Sequence, residues 1–63
     1  MFVIVRRAKN GRLEYVTRPG AEHSFTSQLE SARTFSTKEM AQKEVCPENE
    51  WVVPVERLLQ SME

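Results

Sequence analysis

An Asn10-Gly11 pair, set between two alternating runs rich in β-branched residues, most narrows what this chain can fold into. Asn-Gly favours a type I′ turn, because both central residues need positive φ and the resulting twist matches that of the flanking strands. Phe2 to Ala8 and Leu13 to Thr17 therefore read as an antiparallel hairpin. A two-residue loop pairs Lys9 with Arg12. The register then runs Ala8 with Leu13, Arg7 with Glu14, Arg6 with Tyr15, Val5 with Val16 and Ile4 with Thr17. Strand alternation places Phe2, Ile4, Arg6, Ala8, Leu13, Tyr15 and Thr17 on one face, and Val3, Val5, Val16, Arg7, Glu14 and Arg18 on the other. Both faces are partly apolar, so the hairpin is expected to lie inside a larger sheet or to meet something on its second side.

Arg18-Pro19-Gly20 ends the second strand, since proline cannot extend a ladder and glycine accepts the turn. In the stretch that follows, Phe25, Leu29 and Ala32 are spaced as in a helix, over too few residues to separate a single helical turn from a compact loop. Phe25 and Leu29 are expected to anchor this connection to the core, with a short strand around Thr34. Ser36 followed by Glu39 has capping-box spacing, and Phe35 with Met40 has the spacing of a hydrophobic staple, which predicts a helix from Ser36 that stops at Cys46, before Pro47. Trp51, Val53 and Val55 then alternate with Val52 in a last strand, and Pro54 places that strand at an edge or near its end. Glu56 to Met62 could add one or two helical turns, with Leu58, Leu59 and Met62 on a side. The fold class that results is α+β: a small antiparallel sheet, a β-hairpin plus a further strand or strands, with one helix packed on a face.

Sixty-three residues are enough for a single domain, 1–63, near the lower size at which one core suffices. One cysteine rules out an internal disulfide framework and a cysteine-built zinc site, and it fits a reducing cytosol. MFVIVRR has its apolar run ahead of its charges, the reverse of a secretory signal, and no run approaches the roughly 20 apolar residues that span a bilayer. The chain is therefore expected to be cytoplasmic, with no membrane partner. Net charge is zero, but residues 1–20 carry five cations against Glu14 alone, and the rest carries four against eight acids. Such asymmetry marks either a charged interaction surface or two solvated faces of one domain.

Catalysis has little to draw on. His23 has no partner at metal or triad spacing, and Cys46 is expected at a helix C-terminus, where the dipole disfavours a thiolate and a half-buried structural thiol is the simpler role. Glycine occurs only at 11 and 20, so no phosphate-cradling loop exists. No enzyme activity, cofactor or metal is expected. Phe2, Phe35 and Trp51 are expected in the core, leaving Tyr15 beside Arg6 as an outward pair of aromatic and base.

Phe25-Thr26, Leu29, Ala32-Arg33, Phe35, Thr37, Glu39, Ala41 and the run from Val52 to Val55 together form a pattern. It resembles small proteins of unknown function common in phages and prophages: a hairpin, an aromatic-Thr pair, Leu-x-x-Ala-Arg-x-Phe, a Thr-x-Glu-x-Ala helix start and a closing Val-Val-x-Val strand. The order of elements is also similar to that of a short phage inhibitor of bacterial RNA polymerase. The resemblance implies a phage or mobile-element source, the bacterial host cytosol, and stoichiometric binding to a host macromolecule such as a host enzyme or defence complex.

Two function classes stay open. The first is a non-enzymatic protein-binding module, an inhibitor or anti-defence factor, that meets a host protein through Val3, Val5, Val16 and Arg18 or through a sheet edge. Self-association of the same valine face, giving a homodimer or a small structural oligomer, is its close relative. The second is nucleic-acid binding, with Arg6, Arg7, Lys9, Arg12 and Arg18 on phosphates and Tyr15 stacking. Against it stands a pI near 6.6, where such domains run above about 9.

Overall fold

A computed structural model describes residues 1–60, without the side chain of Gln60. Strands β1 (Phe2–Arg7), β2 (Leu13–Val16), β3 (Phe25–Thr26) and β4 (Glu50–Pro54) form one antiparallel sheet in the order β3-β2-β1-β4. Helix α1 (Lys38–Glu44) lies on one face and a second, short helix, α2 (Val55–Gln60), on the other. The α+β class is as the sequence predicts. Strand β3 was not expected, and the stretch left open between a helical turn and a compact loop divides into that strand and a 3-10 turn, Leu29–Ser31. The strand expected around Thr34 is reduced to two isolated bridges, Thr17 with Ala32 and Phe2 with Phe35. Pro54 ends edge strand β4 as expected. The part of the C-terminal turn that contains Met62 lies outside the described residues.

The hairpin forms, but one residue out of the predicted register. Val5 pairs with Tyr15, Arg6 with Glu14 and Arg7 with Leu13. Ala8 N–H donates to the Arg12 carbonyl at 2.8 Å, and Gly11 N–H donates to the Ala8 carbonyl at 2.9 Å, so the loop is Lys9-Asn10-Gly11. Gly11 has φ of 85° while among the described residues no non-glycine residue has positive φ, which excludes type I′ and leaves a type I turn closed by a glycine bulge. Asn10 turns its side-chain oxygen onto the Arg12 N–H at 3.0 Å instead of entering the left-handed region.

A slip of one residue exchanges the faces of β2 relative to β1. Packing gives the reason for the choice. Tyr15 joins Val3, Val5 and Ala32 in one buried cluster, packed by Leu29, Val53, Val55 and Leu58. Val16 joins Ile4, Phe35 and Ala41 on the other side, packed by Phe2, Val45 and Val52. The predicted register would set Tyr15 beside Arg6 and strand Val16 among the wrong neighbours. Because Ala8 already pairs with Arg12, deleting Lys9 leaves Asn10-Gly11 as a two-residue loop on an unchanged register. We expect that variant to stay folded within about 1 kcal/mol of the parent. Urea denaturation checks this, and loss of the folded baseline would contradict the loop assignment.

Helix α1 also starts one residue later than predicted. The N-cap is Thr37, whose hydroxyl accepts from Met40 N–H at 3.2 Å, so no Ser36/Glu39 capping box forms. Phe35 exchanges backbone hydrogen bonds with Phe2 in both directions at 2.8 Å, which holds the chain extended and delays the first turn. Met40 is half exposed, its sulfur accepting from the Ser36 hydroxyl at 3.6 Å, and it is not part of the cluster around Phe35. The helix ends at Glu44, short of the predicted Cys46. Cys46 therefore lies in a turn and is exposed, not half-buried. At the chain start, the Met1 ammonium lies 3.2 Å from Glu56, whose carboxyl is held below its ordinary value by a backbone hydrogen bond and then by that ammonium.

Candidate functional site

The hairpin valines are covered from within the chain on both faces, so the valine surface proposed for docking is not available. Val3 and Val5 are 0% exposed beneath α2 and the 3-10 turn. Val16 packs on the opposite face toward α1. What the sequence shows as an unpartnered patch is two halves of two cores, brought together on paper by the register error. Of that set only Arg18 is exposed.

The basic residues also separate. Arg6 lies on the α1 side with its guanidinium on Glu14 at 2.9 Å, which replaces the predicted Arg7–Glu14 pair, and 3.3 Å over the Phe25 ring. Tyr15 is buried on the other face, so the predicted outward pair with Arg6 does not exist. Arg18 stands six residues beyond Arg12, about 20 Å along an extended chain. Arg7, Lys9 and Arg12 remain together at the hairpin tip, all exposed. Arg7 is steadied there by a 3.0 Å hydrogen bond to the Gly11 carbonyl.

Beside this tip lie the apolar residues that the sequence pattern misassigned. Trp51 pairs with Val5 in β4, and Leu13 pairs with Arg7 in β2, so both project from the α2 face of the sheet. Yet Trp51 is 41% exposed and Leu13 39%. Element lengths explain why. Six residues of α2 span about 9 Å, whereas five residues of β4 span about 17 Å. The helix starts at Val55, directly after β4, and packs Val55 and Leu58 on the cluster around Val3 and Val5. It leaves the tip end of its own face bare. The available signal was length: a closing strand followed by so short a helix cannot cover a whole sheet face.

Sheet-edge docking, the other expected mode, finds little to use. Strand β3 is two residues long. In β1, Phe2 turns its N–H and carbonyl to Phe35, so alternation points those of Val3 at Val53 in β4 and leaves Val52, Glu50 and Pro54 facing outward. Pro54 has no N–H, and Glu50 N–H is taken by the Cys46 carbonyl at 2.9 Å. Val52 alone offers an outward donor, which protects this edge against strand addition.

Arg18 belongs to a second concavity, a cleft between the 3-10 turn and α2. Arg18-Pro19-Gly20-Ala21 is a type II turn, with Gly20 at φ of 87° and Ala21 N–H on the Arg18 carbonyl at 3.2 Å. His23 is exposed in the loop that follows. Among the described residues no group of three or more His, Cys, Asp or Glu could hold a metal, and no helix is long and apolar enough to cross a membrane. Comparison of the chain with protein-family models, curated proteins and solved structures finds no match in any of the three.

Proposed function

We propose that the chain is a non-enzymatic protein-binding module that uses the hairpin tip and the bare end of the α2 face to hold an acidic surface on a partner. The observation that carries this reading is the juxtaposition of exposed Trp51 and Leu13 with Arg7, Lys9 and Arg12. Tryptophan and arginine are the residues most enriched at binding hot spots, and cations around an apolar centre select an acidic partner and speed its approach. A phage or mobile-element source, residence in the bacterial cytosol, and obstruction of a host enzyme or defence complex extend the proposal along the resemblance of the sequence. The patch fits a host protein better than a nucleic acid. Arg6 is already paired, Arg18 is remote and Tyr15 is buried, which leaves three cations where the nucleic-acid reading needs five.

Capture from bacterial lysate with the parent chain, Trp51→Ala and Arg18→Gln, followed by titration of the recovered species, tests the proposal. We expect a nuclease-resistant protein partner held by the parent and by Arg18→Gln. Trp51→Ala should weaken it about 30-fold, as hot-spot truncations of 2 kcal/mol or more do. Capture that nuclease abolishes, with affinity falling steeply with salt, would transfer the site to nucleic acid. A concentration-dependent doubling of mass that Trp51→Ala removes would make the partner a second copy.

A further inference from the structure

The cleft between the 3-10 turn and α2 has a volume of about 690 Å³, within the roughly 300–1,000 Å³ typical of small-molecule sites. Pro19, Leu29, Ala32, Val55 and Leu59 supply its apolar lining. Ala32, Leu29 and Val55 also belong to the core cluster built on Val3 and Val5, so this wall is backed by the sheet and not by a loop alone.

Three charged residues line the same cleft: Arg18, Glu30 and Arg33. Arg33 is committed elsewhere, with its guanidinium 4.7 Å over the Phe35 ring and 3.9 Å from Glu44. Arg18 and Glu30 are not in ion-pair contact with each other, and the Arg18 side chain has no partner among the described residues. The Arg18 backbone is held on both sides, its N–H on the Ser31 carbonyl at 3.4 Å and its carbonyl on Ala21 N–H at 3.2 Å. The structure thus fixes the base of an unpaired guanidinium at the mouth of an apolar cleft.

We propose that this cleft binds a small amphipathic carboxylate, with its apolar body along Leu29, Ala32, Val55 and Leu59 and its carboxylate on Arg18. A guanidinium recognises a carboxylate through paired N–H donors, and an apolar wall favours a hydrocarbon body. Glu30 opposes the same head group and tunes affinity downward. This site is separate from the tip surface and stands or falls independently of it.

Octanoate and octanol, identical in chain and different in head group, are the probes, followed by amide chemical shifts on the whole chain. Octanoate should shift Leu29, Ala32 and Val55 and leave Trp51 and Leu13 unmoved. Arg18→Gln should weaken octanoate about tenfold, the size of a lost charged hydrogen bond, and leave octanol unchanged. Glu30→Gln should tighten octanoate. Thr34→Trp, at an exposed lining position, should block both probes while the dispersed core shifts persist. Absence of binding, equal binding of both probes with no effect of Arg18→Gln, or shifts centred on Trp51 would each overturn the proposal. So would a peptide ending in leucine that binds the cleft far more tightly than octanoate, since the occupant would then be a protein terminus.

Discussion

Phe35→Ala should remove half or more of the chain's folding stability. The ring is 4% exposed and packs with Ile4 and Ala41 between the sheet and α1. Truncating a buried phenylalanine costs about 3–5 kcal/mol, the transfer term plus the cavity left behind. At roughly 0.05–0.15 kcal/mol per residue a chain of 63 residues has about 3–9 kcal/mol in total. The cavity here has few ways to collapse, because Phe35 exchanges two backbone hydrogen bonds with Phe2 and cannot draw the neighbouring chain inward without breaking them. Arg33 also loses the ring over which its guanidinium lies. Urea denaturation followed by far-ultraviolet circular dichroism measures the effect, and a loss below about 1 kcal/mol would show that Phe35 is not a core residue. Phe35→Leu keeps most of the volume and should recover much of the stability.

Phe35 was legible in the sequence as one of the few aromatics so short a chain has for its core, although the Ser36 cap read beside it does not form. The hairpin and Pro54 at the end of an edge strand were legible too, since each rests on a local rule about backbone geometry. What the pattern could not resolve was a choice between neighbours. Asn10-Gly11 serves a two-residue or a three-residue loop, and Ser36 and Thr37 can each cap a helix. In both places the local options are close in energy and tertiary packing decides: the clusters around Val3 and Ile4 set the loop, and the Phe2–Phe35 bridge sets the cap. The consequence for the candidate site was out of proportion to the size of the error. One residue of slip moved Val16 to the other face, exchanged Arg7 for Arg6 as the partner of Glu14 and turned Tyr15 inward. Trp51 was misassigned for a different reason. Burial of an aromatic depends on what lies above it, and how far α2 reaches is a property of the assembled fold.

Val5 and Trp51 face each other across β1 and β4 on one side of the sheet, and they should respond to the same substitution in opposite ways. Val5→Lys should abolish folding. The site is 0% exposed and surrounded by Val3, Tyr15 and Ala32, with no acid in the cluster. An uncompensated buried charge costs about 3–5 kcal/mol, and the lost burial of a valine adds about 1.5–3 kcal/mol. That sum consumes nearly all the stability available to so small a chain. Trp51→Lys should leave folding within about 1 kcal/mol of the parent, because the lysine ammonium reaches water past the short α2 while its stem still covers the strand. The same change should remove binding to the acidic partner by taking away the apolar centre of the interface, although it adds a cation to a surface that already carries three. Measuring both variants by denaturation and by partner titration separates burial from binding. If Val5→Lys folds normally and loses only binding, α2 does not cover the sheet and the valine surface is open after all. If Trp51→Lys unfolds the chain, the indole is a core residue and the proposed interface loses its centre.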